Sequence, residues 1–165
     1  MRAVIVGCGR VGAFIAESLD SDGHQVVIID IASSAFDRLP ASFGGEAIRG
    51  DGTDEDQLRR AGAEGADLLI ALTEGDNRNV MAAQIAREAL GIENVVAKIN
   101  DHVRARAYAE LGIATMCRTT LDADAVMGYL GLTGSGDPAV HLGRIHAHPF
   151  HQREAAAPAA TGSEG

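Results

Sequence analysis

The chain has 165 residues with 14 basic and 23 acidic side chains, a formal net charge of −9 and a hydrophobic fraction of 46 %. This is a globular composition, enough for one domain of ordinary size and too short for a second full one. It excludes a nucleic-acid binder built on a basic face, because no basic run exceeds the pair Arg59-Arg60, and a bilayer span, because no apolar run approaches the roughly 18 residues required.

Aromatic residues at 4 %, no Trp and 20 Gly suit an α/β domain with tight turns better than an aromatic-rich β-sandwich. The first apolar run, residues 3–6, is short, β-branched and closed by Gly7, too brief to serve as a signal peptide's apolar stretch. The second, residues 25–30, reads Gln-Val-Val-Ile-Ile-Asp, and a weaker third covers residues 46–49. Thr53 is placed to cap a helix with Asp54, Glu55 and Asp56 in its first turn, Arg59 and Arg60 near its end and Gly62 as a left-handed stop. A strong fourth run follows at residues 67–72. Asp76 or Asn77 can cap a helix running to Leu90 and ended by Gly91. Residues 95–99 form the fifth run, Asp101 caps a helix ending at Gly112, and residues 113–117 complete the set.

The stronger runs are apolar on both faces, as in a parallel sheet covered from both sides. Strand and helix alternate to about residue 130, which predicts a Rossmann-type doubly wound parallel sheet, and right-handed crossovers favour strand order 3-2-1-4-5-6. The predicted organisation is a single nucleotide-binding domain over residues 1–131 and an appendage over 132–165. In the appendage, residues 133–138 read as a turn-rich linker, 141–150 as one strand and 155–165 as a disordered small-residue tail. His141, His146, His148 and His151 fall there, either as a metal site or, with no Cys partners or core around them, as part of a flexible surface segment. Cys8 and Cys117 match no zinc or redox spacing and read as reduced structural thiols of a cytoplasmic protein.

The chemistry concentrates at the first turn. Gly7-Cys8-Gly9-Arg10-Val11-Gly12 is G-x-G-x-x-G between a strand and a helix. Gly7 permits the tight turn, Gly9 lets backbone approach a pyrophosphate, Gly12 lets helix and strand pack closely, and the helix N-terminus offers free N–H groups to phosphates. Asp30, ending the second strand, is placed to accept hydrogen bonds from ribose hydroxyls. A 2′-phosphate would face that carboxylate with no Arg among residues 31–34, so NADP is disfavoured against NAD(H) or ATP/ADP, with AMP in the same adenosine set.

Further polar residues gather at the strand C-terminal ends, where such sheets bind ligands. Asp51 either turns the chain or lines the adenine pocket. Thr73, Glu74, Asp76 and Asn77 follow the fourth run. Lys98, the single lysine, with Asn100 closes the fifth, and is either solvated or a phosphate or ribose contact.

A reductase of this fold would place a Tyr and a Lys four residues apart. Tyr108 is followed at that offset by Gly112, and Tyr129 by Thr133. The pair is absent, which disfavours the competing reading of a small NAD-dependent oxidoreductase or epimerase-like protein and points to a site that binds without chemistry. Ala125, Val126, Tyr129, Leu130 and Leu132 form a late apolar face that either covers the last strand or docks on a second subunit.

Four stretches together resemble the nucleotide-binding N-terminal domain of the TrkA/KtrA potassium-transport regulators, also called RCK or KTN domains. They are residues 6–12; Val27-Ile28-Ile29-Asp30; Gly50-Asp51-Gly52-Thr53 with Leu58, Ala61 and Gly62; and residues 66–73 leading to Asp76-Asn77-Arg78-Asn79. Ala97-Lys98-Ile99-Asn100 fits too. The resemblance covers residues 1–131. It implies a non-catalytic cytoplasmic subunit, a homodimer or higher ring beneath a membrane potassium transporter or channel, whose conformation is biased by NAD(H) or ATP/ADP. The acidic balance argues against contact with nucleic acid, and the short apolar runs argue against direct membrane insertion. Arg10 beside the phosphates is the expected sensor of phosphate number. Two departures stand out. Ala32 occupies a position that is often polar in the family, and residues 132–165 are too few for the family's usual C-terminal ligand-binding domain, which leaves three readings open: a truncated chain, a naturally short subunit, or a partner of a full-length paralogue.

Overall fold

Six short aliphatic strands line up in one parallel sheet in the computed structural model, which describes residues 1–132. The elements are β1 (Arg2–Val6), α1 (Arg10–Ser21), β2 (Gln25–Asp30), β3 (Glu46–Arg49), α2 (Glu55–Arg60), β4 (Leu68–Ala71), α3 (Asp76–Gln84), β5 (Asn94–Lys98), α4 (His102–Glu110), β6 (Ala114–Met116) and α5 (Arg118–Tyr129). A 3-10 turn (Ser33–Arg38) follows β2, and a π-helical stretch (Ile85–Ala89) extends α3. Strand order is β3-β2-β1-β4-β5-β6, the predicted order. Pairing Val6 with Ile29 on one side and Ala71 on the other sets the C-terminal ends of β1, β2 and β4 level. Every functional loop described below leaves from that edge.

Strand alternation divides the core into two layers. On one face Val4, Val6, Val27, Ile29, Leu69 and Ala71 meet Leu58 of α2, Val80 and Ala83 of α3 and Ala105 of α4. On the other, Ala3, Ile5, Val26, Ile28, Leu68 and Ile70 meet Ala13 and Ala16 of α1 and Ala35 of the 3-10 turn. Alanine at these helix contacts lets backbones approach the sheet closely, which is how a chain with 4 % aromatics fills its core.

Two helix starts, those of α2 and α3, differ from the predicted ones. Thr53 does not cap α2; Asp54 does, accepting from Gln57 N. Thr53 is already engaged, its N–H and hydroxyl both donating to Asp51. Neither Asp76 nor Asn77 caps α3, because Gly75 holds the cap position. Asp101 caps α4 as expected, through Val103 N and Arg104 N, and those bonds, Arg104 N first, hold its carboxyl below the usual range.

The late apolar face does not cover the last strand. No residue of α5 is buried, and Val126, Leu130 and Tyr129 (91 % exposed) face solvent. Among the described residues no helix is long and apolar enough to cross a membrane. The linker at 133–138, the strand at 141–150, the tail at 155–165 and the four histidines of that segment lie outside the described residues.

Candidate functional site

A cavity of about 400 Å³ opens at the C-terminal edge of the sheet, between the loops that leave β1, β2, β3 and β4. Its place follows from the topology: loops on the two sides of β1 diverge there because the chain winds outward in opposite directions.

The β1–α1 turn supplies the first wall. Gly7 has φ +103°, and a Cβ there would stand 2.9 Å from Thr73 N, so glycine is needed both for the turn and for the approach of the β4 loop. At Gly12 a Cβ would lie 2.0 Å from the Gly7 carbonyl oxygen. At Gly9 nothing lies within 4 Å, leaving that stretch of backbone open. Gly9 also sits at the N-cap of α1 with no side-chain cap, so the first N–H groups of the helix are not satisfied by a capping side chain.

Asp30 forms the second wall and ties it to the first. Its Oδ2 accepts from Cys8 N at 2.7 Å and its Oδ1 from Ala32 N at 2.9 Å. Each oxygen keeps further lone-pair capacity for a ligand hydroxyl. Cys8 is buried, and its Sγ donates to the Ala35 carbonyl at 3.3 Å. Burial pushes the Cys8 thiol up, the Asp30 charge pushes it further, and the Arg38 guanidinium opposes both. Arg38 is among the residues lining the cavity, and its Nη1 donates to the same Ala35 carbonyl at 3.2 Å.

The third wall is the loop after β3. Gly52 fits against Val6, where a Cβ would stand 2.2 Å from Cγ1. Asp51 N donates to Gln57 Oε1 at 2.6 Å, and Asp51 Oδ1 accepts from Thr53 N at 3.0 Å and Thr53 Oγ1 at 2.8 Å. Those two bonds, the backbone one first, hold the Asp51 carboxyl below the usual range; partial burial works against them and Arg78, 3.0 Å from Oδ2, works with them.

Thr73, after β4, is fixed by the fully buried Asn79. Asn79 Oδ1 accepts from Thr73 N and Oγ1, both at 2.7 Å, and its Nδ2 donates to the carbonyls of Thr73 (3.0 Å) and Lys98 (2.8 Å). All four hydrogen-bonding positions of this amide are filled.

The cavity thus brings together Gly7, Gly9, Asp30, Asp51 and Thr73. Arg10 and Val11 lie exposed on the first turn of α1, outside the cavity lining, and Gly12 is buried behind it. Asp76 turns toward the β5–α4 loop, accepting from Asn100 N at 2.9 Å and Asp101 N at 3.2 Å, while Asn77 Oδ1 accepts from Arg104 at 2.6 Å. Lys98 is half-buried on β5, and it is its carbonyl that Asn79 holds. Arg38, Arg78 and the bracing role of Asn79 were not among the predicted site residues. Asp51, 27 residues from Arg78, gives no local hint of that pairing, although Asn79 on the α3 face turned to the sheet was a readable buried polar position. Among the described residues no group of three or more His, Cys, Asp or Glu could hold a metal ion.

A parallel sheet in this order, with a glycine turn after β1 and an acid ending β2, defines a Rossmann-type α/β domain. The sequence profile of the TrkA-N domain matches residues 3–119. The chain belongs to the TrkA-N family. The Trk system potassium uptake protein TrkA of Streptomyces coelicolor is 43 % identical over 152 residues, covering 88 % of this chain and 68 % of that protein. A TrkA homolog of Pyrococcus abyssi is 31 % identical over 111 residues, covering 67 % of this chain and 49 % of that protein, so the chain spans about half of that relative's length. Among solved structures, the TrkA-N domain of inner membrane protein ybaL from Escherichia coli has TM-score 0.67 at 24 % identity, over 78 % of this chain and 95 % of that one. The Kef CTD of Shewanella denitrificans in its AMP-bound form has TM-score 0.63 at 20 % identity, over 93 % of each chain. These two similarities concern the fold.

Proposed function

We propose that this chain is a non-catalytic, nucleotide-responsive regulatory subunit of a potassium uptake system, with residues 1–131 as its nucleotide-binding domain. It works in the cytoplasm, as a homodimer or ring or beside a full-length paralogue, against the inner face of a membrane transporter or channel. The observation that carries the reading is the cavity where the Gly7–Gly9 turn and Asp30 meet, bound to each other through Cys8 N. A phosphate-bearing group fits the open backbone at Gly9 and the N-terminus of α1, and a ribose fits the remaining lone pairs of Asp30. NAD(H), ATP/ADP and AMP all present that pair of groups. The names of the Streptomyces and Pyrococcus relatives support the link to potassium uptake, and the AMP in the Kef structure supports an adenosine ligand. Arg10, at the same helix start, is the proposed sensor of phosphate number. Regulation then requires that the ligand bind one assembly geometry more tightly than another by the coupling free energy.

Thermal shift of the purified chain with NAD, NADH, NADPH, ATP, ADP and AMP tests the binding. A ligand at about 100 times its Kd adds about 2.7 kcal/mol to stability. Asp30→Ala removes the shift. No shift with any of the six, or a shift retained in Asp30→Ala, overturns the reading.

A further inference from the structure

We propose that Glu74 limits the charge of the ligand: the cavity takes a nucleoside monophosphate or a pyrophosphate-linked dinucleotide and discriminates against ADP and ATP. The inference rests on the nucleotide reading above and deepens it. Among the described residues three carboxylates line the cavity, those of Asp30, Asp51 and Glu74, against two guanidiniums, those of Arg38 and Arg78. A cavity built to hold several phosphates calls for the opposite excess.

The position of Glu74 follows from a contact between two loops. A Cβ on Gly7 would stand 2.9 Å from Thr73 N and 3.0 Å from the Leu72 carbonyl carbon, so the glycine turn and the start of the β4–α3 loop meet through their backbones. Thr73 is held there, because Asn79 Oδ1 accepts from both its N–H and its hydroxyl at 2.7 Å. Glu74 is the next residue, exposed and in the cavity lining. One residue step from a backbone contact keeps its carboxylate on the scale of the Debye length, about 8 Å at physiological salt, from the turn proposed to receive the phosphate.

The two arginines of the lining are committed elsewhere. Arg78 is paired with Asp51 Oδ2 at 3.0 Å, and Arg38 Nη1 donates to the Ala35 carbonyl at 3.2 Å, in the turn after β2. Arg10, the proposed sensor, lies exposed outside the lining, so solvent screens its attraction and Glu74 sets the sign of the preference. What draws phosphate into the cavity is the uncapped N-terminus of α1, whose effect falls off within one turn and serves the first phosphate. AMP carries about two negative charges at neutral pH, and each further phosphate adds about one. A dinucleotide's pyrophosphate has no terminal group and carries no more charge than AMP. Every charge beyond those of AMP adds repulsion from Glu74, with no third cation among the described lining residues to meet it.

The test is calorimetric titration of the full chain with AMP, NAD, ADP and ATP, without divalent cations and at about 50 mM salt. The tighter of AMP and NAD exceeds ATP in affinity by about tenfold, with ADP between them. Glu74→Gln keeps the shape and removes the charge; it narrows that gap to about threefold or less and leaves the tighter ligand within about twofold of the parent. Glu74→Lys brings ATP level with that ligand or beyond it. Raising the salt to about 500 mM narrows the gap in the parent and not in Glu74→Gln. ATP binding as tightly as AMP and NAD in the parent, or a gap that Glu74→Gln leaves unchanged, overturns this inference and leaves the nucleotide reading standing. So does ATP binding that Mg²⁺ strengthens in the parent and not in Glu74→Gln, since that pattern makes Glu74 a cation ligand for a triphosphate. A Glu74→Gln variant that binds none of the four also overturns it, because a group that only repels is not required for binding. If none of the four binds the parent, both readings fall.

Discussion

Asn79 is the side chain on which the β4 edge of the cavity depends. Truncation to Ala leaves the Thr73 N–H, the Thr73 carbonyl and the Lys98 carbonyl without their partner, in a place where Asn79 itself is fully buried. Each buried group left unsatisfied costs about 1–3 kcal/mol, and local relaxation recovers some of it, so the expected loss is about 3–5 kcal/mol. That is a large part of a total stability of about 5–15 kcal/mol. At about 3 °C per kcal/mol for a domain of this size, Tm falls by about 10–15 °C. Asn79→Asp sharpens the test because it keeps the shape. At neutral pH its carboxylate keeps both acceptor contacts at Thr73 but sets an oxygen against two carbonyls. Protonation in acid restores one donor, so its deficit relative to the parent shrinks as pH falls. Urea unfolding followed by far-UV circular dichroism measures both, since the chain has no Trp to report. An Ala variant within about 1 kcal/mol of the parent, or an Asp variant whose deficit ignores pH, would refute the reasoning.

Gly12→Ala pushes a Cβ to 2.0 Å from the Gly7 carbonyl oxygen, which is backbone and cannot swing aside. The expected loss is about 1–3 kcal/mol or more, together with any ligand shift seen for the parent; a normal Tm with an intact ligand response would contradict the contact. Acid stability follows from Asp51 and Asp101, whose carboxyls both sit below their usual range. The unfolded chain binds protons there before the native one does, so this stability is fully present above about pH 4 and is lost as pH falls through the depressed native values. Asp51→Asn therefore flattens the acid limb of a Tm-against-pH curve, and an unchanged limb would remove Asp51 from the account.

The strands and the glycine turn were legible because their signals are local. A run such as Val27-Ile28-Ile29 suits only a strand covered on both faces, and glycines spaced between a strand and a helix have few other uses. Strand order followed from the handedness of crossovers, and Asp30 from its place at the end of β2. What stayed hidden depended on partners far along the chain. The Ser33–Arg38 turn has neither helix nor strand period, so Arg38, eight residues past Asp30, was not read as part of its wall. Asp54 rather than Thr53 caps α2, while Thr53 donates its N–H and hydroxyl to Asp51, an arrangement among neighbours that propensity does not resolve. Asp76 suits a helix cap by type, yet it reaches across to Asn100 and Asp101, whose nearness is set by the pairing of β4 with β5.

The bond from Cys8 N to Asp30 Oδ2 bears on how fast this protein can respond. A loop that ordered only around its ligand would add an ordering step to every encounter and surrender its entropy each time. Here the glycine turn is already clamped by Asp30, the carboxylate that would meet the ribose under the proposed function, so on that proposal the ordering belongs to folding and happens once. Occupancy can then follow a changing ligand concentration on the time scale of diffusion and release. The carboxylate that sets the shape of the turn also sets the tempo of the site.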